Sequence, residues 1–212
     1  MSIQHNYSRW LMAPRVARGA LALAAVLAAT GCASSGTAGG MIHGGDGSSW
    51  SGEPGGVHMN VSLGERRLYL KDGNEVVRAY EIGVGQDAYP TPEGNYSVRR
   101  IVWNPPWTPP DAAWAADKEP QAPGAANNPM KVVKIYFNEP DFYIHGTGDT
   151  GSLGGAVSHG CLRMAPGDAA NLAKYLMEHG GASRDAGWFQ RVQGSNETET
   201  VMLGTSIPMH ID

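Results

Sequence analysis

Cysteine is scarce in this chain of 212 residues: Cys32 and Cys161 are the only two, so no disulfide framework can staple it. There is neither a C-x-x-C pair nor an H-E-x-x-H element, which leaves a zinc centre without its usual scaffolding. A net charge of −4 and a pI near 6.0, with no Lys/Arg cluster outside the extreme N-terminus, speak against a nucleic-acid partner. The apolar run at residues 19–30 is too short to span a bilayer. Behind the positive flank of Arg9, Arg15 and Arg18 it reads instead as a secretory signal.

What is present divides the chain in three. Residues 1–32 form the leader, and residues 33–56 are rich in Gly and Ser without apolar periodicity, as expected of a flexible tether. Residues 57–212 are about the size of one domain, and a hydrophobic content of 42% is enough for one core. Val57, Met59 and Val61 alternate with polar residues, which predicts a strand. Residues 67–70 predict a second strand and residues 75 to about 84 a third, after the K-D-G-N turn, giving a β-meander. Further strands are expected at 96–103, 131–137, 142–145, 199–203 and 206–211. Residues 104–129 carry too many prolines for a regular element and predict an irregular flap, with Trp107 and Trp114 either ordering it or plugging the edge of the core. A helix is expected from Pro166, with Ala169, Leu172, Ala173 and Leu176 on one face and Gly180-Gly181 as its stop. A second short helix fits residues 183–193. The fold class is therefore mainly β with short helices.

Chemistry concentrates at residues 143–164, Y-I-H-G-T-G-D-T-G-S-L-G-G-A-V-S-H-G-C-L-R-M. Six glycines there forbid a stable helix and let the backbone fold back, so that His145 and Cys161, sixteen positions apart, can meet. A thiol beside an imidazole is the usual nucleophile and base pair for acyl transfer through a thioester. His159 would share the side of Cys161 on an extended segment and competes with His145 for the role of base. The flanking glycines, the histidines and Arg163 make an electropositive setting that favours thiolate. The N–H groups of His159, Gly160 and Cys161 can form an oxyanion hole, because Gly160 lets the chain curl its donors inward. Asp149 is a rival orienter for the imidazole, a solvated carboxylate being its default state. The set His145, His159 and Cys161 can also be read as three zinc ligands, but no fourth is evident.

The composite pattern His145-Gly146, Ser152-x-Gly154 and Ser158-His159-Gly160-Cys161-Leu162-Arg163 resembles the L,D-transpeptidase catalytic domain, as do the Thr91-Pro92-x-Gly94 turn and the N-P-P-W segment ending at Trp107. The resemblance implies a β-sandwich or meander with one helix after the catalytic motif. It implies Cys161 as nucleophile, His145 as base with the Gly146 carbonyl fixing its tautomer, and His159 and Gly160 as supporting residues. Arg163, Ser158 and Trp107 would contact substrate. It also implies peptidoglycan stem peptides as partners, no metal and no cofactor. Hydrolysis, the anchoring of a lipoprotein to the wall and a non-catalytic wall-binding role stay open. Ala29-Thr30-Gly31-Cys32 resembles a bacterial lipobox, which implies Cys32 as a lipidated first residue, a membrane anchor and an envelope location. Ala33, in place of Asp, points to the outer membrane where the host has one.

Overall fold

The computed structural model describes residues 56–212. The expected leader, the lipobox around Cys32 and the tether up to residue 55 lie outside the described residues. The expected meander is present. β1 (Val57–Ser62) runs antiparallel to β2 (Arg67–Asp72), and β2 antiparallel to β3 (Glu75–Glu81). Met59 and Val61 sit opposite Leu70 and Leu68, all four buried, so the period-2 pattern becomes one face of a core.

β3 stops at Glu81, short of the expected Val84, because the chain changes partner there. Gly83 exchanges two backbone hydrogen bonds with Arg163, at 2.9 and 2.8 Å. Val84 and Gly85 then form β4 (Val84–Gly85), which pairs in parallel with β8 (Ala156–Ser158) in a separate two-stranded sheet. The segment after the meander thus clamps the loop that precedes Cys161.

The large sheet continues through β5 (Gly94–Trp103), β6 (Lys131–Asn138), β7 (Phe142–Gly146), β9 (Leu162–Met164) and β10 (Glu199–Ile211), in the order β3-β2-β1-β10-β5-β6-β7-β9. Two strands were expected at the C-terminal end, and one long strand is found. Gly204 lies where the register against β5 shifts, between Met202 and Ile207, so the chain bulges there without breaking the ladder.

α1 (Pro166–His179) starts on Pro166 with no side-chain cap and carries Asp168 in its first turn, favourable at a helix N-terminus. It buries Ala169, Leu172, Ala173 and Leu176 as the spacing predicts, and Ala170 and Met177 as well, against β6 and β7. Gly180 ends it, and Gly181, at φ 73°, lets the Ala182 N–H return to the Met177 carbonyl at 2.8 Å. α2 (Ala186–Gln193) begins later than the expected 183, because the Asp185 carboxylate accepts the Trp188 N–H at 2.8 Å and sets the cap there. Its Trp188 meets fully buried Trp103 edge-on, ring centroids 6.0 Å apart. No helix among the described residues is long and apolar enough to cross a membrane.

Strand alternation decides where chemistry can sit. Val133, Ile135, Ile144, Leu162 and Met164 point into the core shared with α1. The intervening residues, Lys134 and Tyr136 on β6, Tyr143 and His145 on β7, and Cys161 and Arg163 at β9, therefore belong to the opposite face.

Candidate active site

That opposite face is the floor of a cleft of about 1470 Å³, roofed by the irregular segment 104–129. The roof is built rather than loose. Trp107 and Gln121 exchange backbone hydrogen bonds at 2.9 and 2.8 Å. Asn128, 1% exposed, donates to the carbonyls of Pro105 and Ala122 and accepts the Met130 N–H. Lys131, left without a role by its sequence, ties Nζ to the Ala126 carbonyl at 3.0 Å.

The register of β7 against β9 pairs Ile144 with Leu162 and His145 with Arg163. One step back, Cys161 falls beside Tyr143, and His145 becomes its diagonal neighbour on the cleft face. His145 is 3% exposed and sits at the end of its strand. Its Nδ1 lies 2.9 Å from the Gly146 carbonyl, which takes the Nδ1–H and leaves Nε2 with the lone pair. Asp149 does not fill that orienting position; its carboxylate is 70% exposed and lies 3.9 Å from Arg163.

The charges near Cys161 are overridden by burial. Its thiol is pushed up to about 11 by removal from water, against the pull of Tyr143, Lys134 and Arg163. Burial lowers His145 to about 4; the Gly146 carbonyl opposes this, and Arg163 and Lys134 reinforce it. The electropositive setting read from sequence is real, but desolvation outweighs it. The resting pair is a neutral thiol and a neutral imidazole.

Burying His145 neutral has a consequence for stability. Its folded value lies below the unfolded 6.5, so the unfolded chain binds the extra proton, and stability present above pH 6.5 is lost as pH falls toward 4. Urea unfolding at pH 7 and pH 4.5 should show wild type losing up to about 3 kcal/mol more than His145→Gln over that interval. Equal losses would show that His145 does not titrate in this way.

Other expected site residues occupy different positions. The extended segment assumed for His159 is broken by Gly160 at φ 102°. The His159 ring is stacked on Trp114 at 3.8 Å and 12°, with Tyr89 at 4.7 Å. Ser158, expected to touch substrate, is 2% exposed. Its Oγ donates to the Cys161 carbonyl at 2.6 Å and accepts the Gly160 N–H at 3.1 Å, so the hydroxyl is consumed in shaping the loop. Trp107 is 8% exposed within the roof, while Trp114 presents its face to the site. Arg163 stays within the cleft and reaches Ser152 Oγ at 3.4 Å. Among the described residues, no three His, Cys, Asp or Glu side chains gather where a metal could be held.

Sequence reasoning gave no place in the site to Lys134, Tyr143 or Trp114. The signal for the first two was available in strand parity, since the alternation that buries Ile135 and Ile144 turns Lys134 and Tyr143 toward His145 and Cys161.

A thiol and a buried neutral imidazole on one face of a roofed cleft can run acyl transfer through sulfur. The family model of the L,D-transpeptidase catalytic domain, YkuD, matches residues 56–206, and this chain belongs to that family. It is similar to the putative L,D-transpeptidase YkuD of Bacillus subtilis, 29% identical over 119 residues that cover 56% of this chain and 60% of the relative. It is also similar to the probable L,D-transpeptidase YbiS of Escherichia coli, 33% identical over 132 residues, 58% of this chain and 42% of the relative. The chain thus spans 60% or less of these relatives' length. Among solved structures, an L,D-transpeptidase from Mycobacterium smegmatis aligns with a TM-score of 0.47 and 18% identity, over 74% of this chain and 58% of the other.

Proposed function

We propose that the protein is a peptidoglycan L,D-transpeptidase working through a thioester on Cys161. The observation that supports this reading is the β7–β9 register, which brings Cys161 and His145 to diagonal positions on the cleft face, with Nδ1 of His145 engaged by the Gly146 carbonyl. His145 Nε2 takes the thiol proton as sulfur attacks the carbonyl of the third stem residue in a tetrapeptide donor. The C–N bond to the terminal D-Ala breaks, and the imidazolium returns its proton to the departing amine. A second stem's amine then attacks the thioester, loses a proton to Nε2 and releases the thiolate, which recovers a proton; a 3-3 cross-link remains.

The oxyanion is held by backbone donors of the loop around Gly160. The Gly160 N–H already serves Ser158 Oγ, which leaves those of His159 and Cys161. Arg163 and the roof bearing Trp107 recognise the stem, the guanidinium by pairing with a carboxylate. The leader exports the chain, Cys32 is lipidated, and the tether lets the domain reach the wall from a membrane anchor.

Purified protein incubated with tetrapeptide muropeptides should yield a 3-3 linked dimer together with free D-Ala, both read by mass spectrometry. Release of D-Ala with tripeptide and no dimer would replace transfer by hydrolysis. Neither product, from folded protein that a carbapenem also fails to acylate, would leave a wall-binding role.

A further inference from the structure

Lys134 is the only lysine or arginine among the described residues that is buried, at 7% exposure, and it lies in the floor of the cleft. An ammonium withdrawn from water needs an answering charge or strong polar contacts. No carboxylate among the described residues comes within ion-pair distance of it. Its Nζ is instead 4.5 Å over the ring of Tyr143, which the β7–β9 register sets beside Cys161. Its strand pairs it with His145 across the β6–β7 ladder.

Charged and titratable groups face Lys134 from four strands and the roof. From β5 comes Arg100, whose guanidinium is already paired with Glu139 at 2.8 Å. On its own strand is Tyr136, and on β7 are Tyr143 and His145; burial raises both phenols and keeps the imidazole neutral, so none of the three carries charge near pH 7. From β9 comes Arg163, and just before that strand Cys161; of the two arginines, Arg100 is the one that lowers Lys134. Asp141 in the β6–β7 turn and Asp149 are exposed, as are Asp111, Lys118 and Glu119 of the roof. Of the groups packed on the floor beside Lys134, the sulfur is the one that can become an anion, and the influence is mutual. Lys134 draws the thiol down, and Cys161 holds the lysine up against its own desolvation, which lowers it to about 8.

We propose that Lys134 is a positioning residue whose ammonium supplies the counter-charge for the Cys161 thiolate. This deepens the reading of Cys161 as the nucleophile and rests on it. It divides two tasks that a cysteine and histidine pair usually combines. His145 moves the proton, and Lys134, pinned over Tyr143, stabilises the negative charge left on sulfur. Burial, reinforced by Arg163 and Lys134, disfavours an imidazolium at His145, so a fixed cation takes over the role of counter-charge to the sulfur.

The test is the rate of iodoacetamide alkylation of the full chain from pH 6.5 to 9.5, a window that spans the value of about 8 at which Lys134 gives up its charge. The peptide bearing Cys161 is quantified by mass spectrometry, separately from that bearing Cys32. Lys134→Met and Lys134→Gln should slow alkylation about tenfold at pH 7, with the gap to wild type closing above pH 8. Lys134→Arg should keep the wild-type rate at pH 7. Thermal melting identifies folded variants, and Lys134→Gln carries the test where Lys134→Met does not fold. A wild-type rate at pH 7 in either folded neutral variant, or an Arg variant slowed as far as they are, overturns the proposal. The alkylation rate needs no muropeptide turnover, so it can fail or hold independently of the transpeptidase assignment.

Discussion

Replacing Cys161 with alanine is expected to remove dimer formation and carbapenem acylation together, by at least ~10⁴-fold, while leaving the fold intact. The sulfur is small, and its one side-chain donation, to the Asp141 carbonyl, is long at 3.4 Å. Removing it should cost no more than about 1 kcal/mol, a shift of a few degrees in melting temperature. The chemistry has no substitute for it. No other cysteine lies among the described residues, and without the sulfur the thioester cannot form. The measurement is a muropeptide time course beside a thermal melt. Wild-type dimer yield from Cys161→Ala would refute the assigned nucleophile whatever happened to stability.

The second large effect is expected at Gly146, through geometry rather than bond-making. A Cβ there would lie 2.3 Å from the Lys131 carbonyl oxygen and 3.2 Å from the Pro166 Cα, both backbone atoms of elements fixed by the sheet and the start of α1. Neither can yield as a flexible side chain does. The strand must move, and the Gly146 carbonyl that orients His145 moves with it. Gly146→Ala should lower stability by about 3 kcal/mol and slow dimer formation at least ~100-fold. Gly148→Ala makes the matched control, because its new Cβ would meet only the flexible Lys131 side chain, at 3.2 Å. Urea unfolding and the muropeptide rate on both proteins separate the cases; a normal rate in Gly146→Ala would show that the carbonyl is dispensable.

Much of this site was legible before the structure because short-range patterns govern it. Alternation at 131–137 and 142–145 gave β6 and β7, and those strands put His145 at a strand end. Pro166 and Gly180 bracketed α1. What escaped depends on partners far away in sequence. β3 ends early because Gly83 is taken by Arg163, eighty residues on, a pairing with no local signature. Lys134 reads as the solvent-side residue of an amphipathic strand, and it is buried only because the chain from 104 to 129 returns over that side. The thiol was misjudged for the same reason. Nearby charges are visible in sequence, while the water excluded by a distant segment is not.

The division of β7 and β9 into a packed side and a reacting side lets two kinds of selection act on one backbone. Positions 134, 136, 143 and 163 belong to the cleft and 135, 144 and 162 to the interior, so a change on the cleft side leaves the hydrophobic packing in place. Length is the exception. One residue inserted within β7 would turn Ile144 out to the cleft and the imidazole in toward α1, so an apolar exchange at position 144 should be tolerated where an insertion is not.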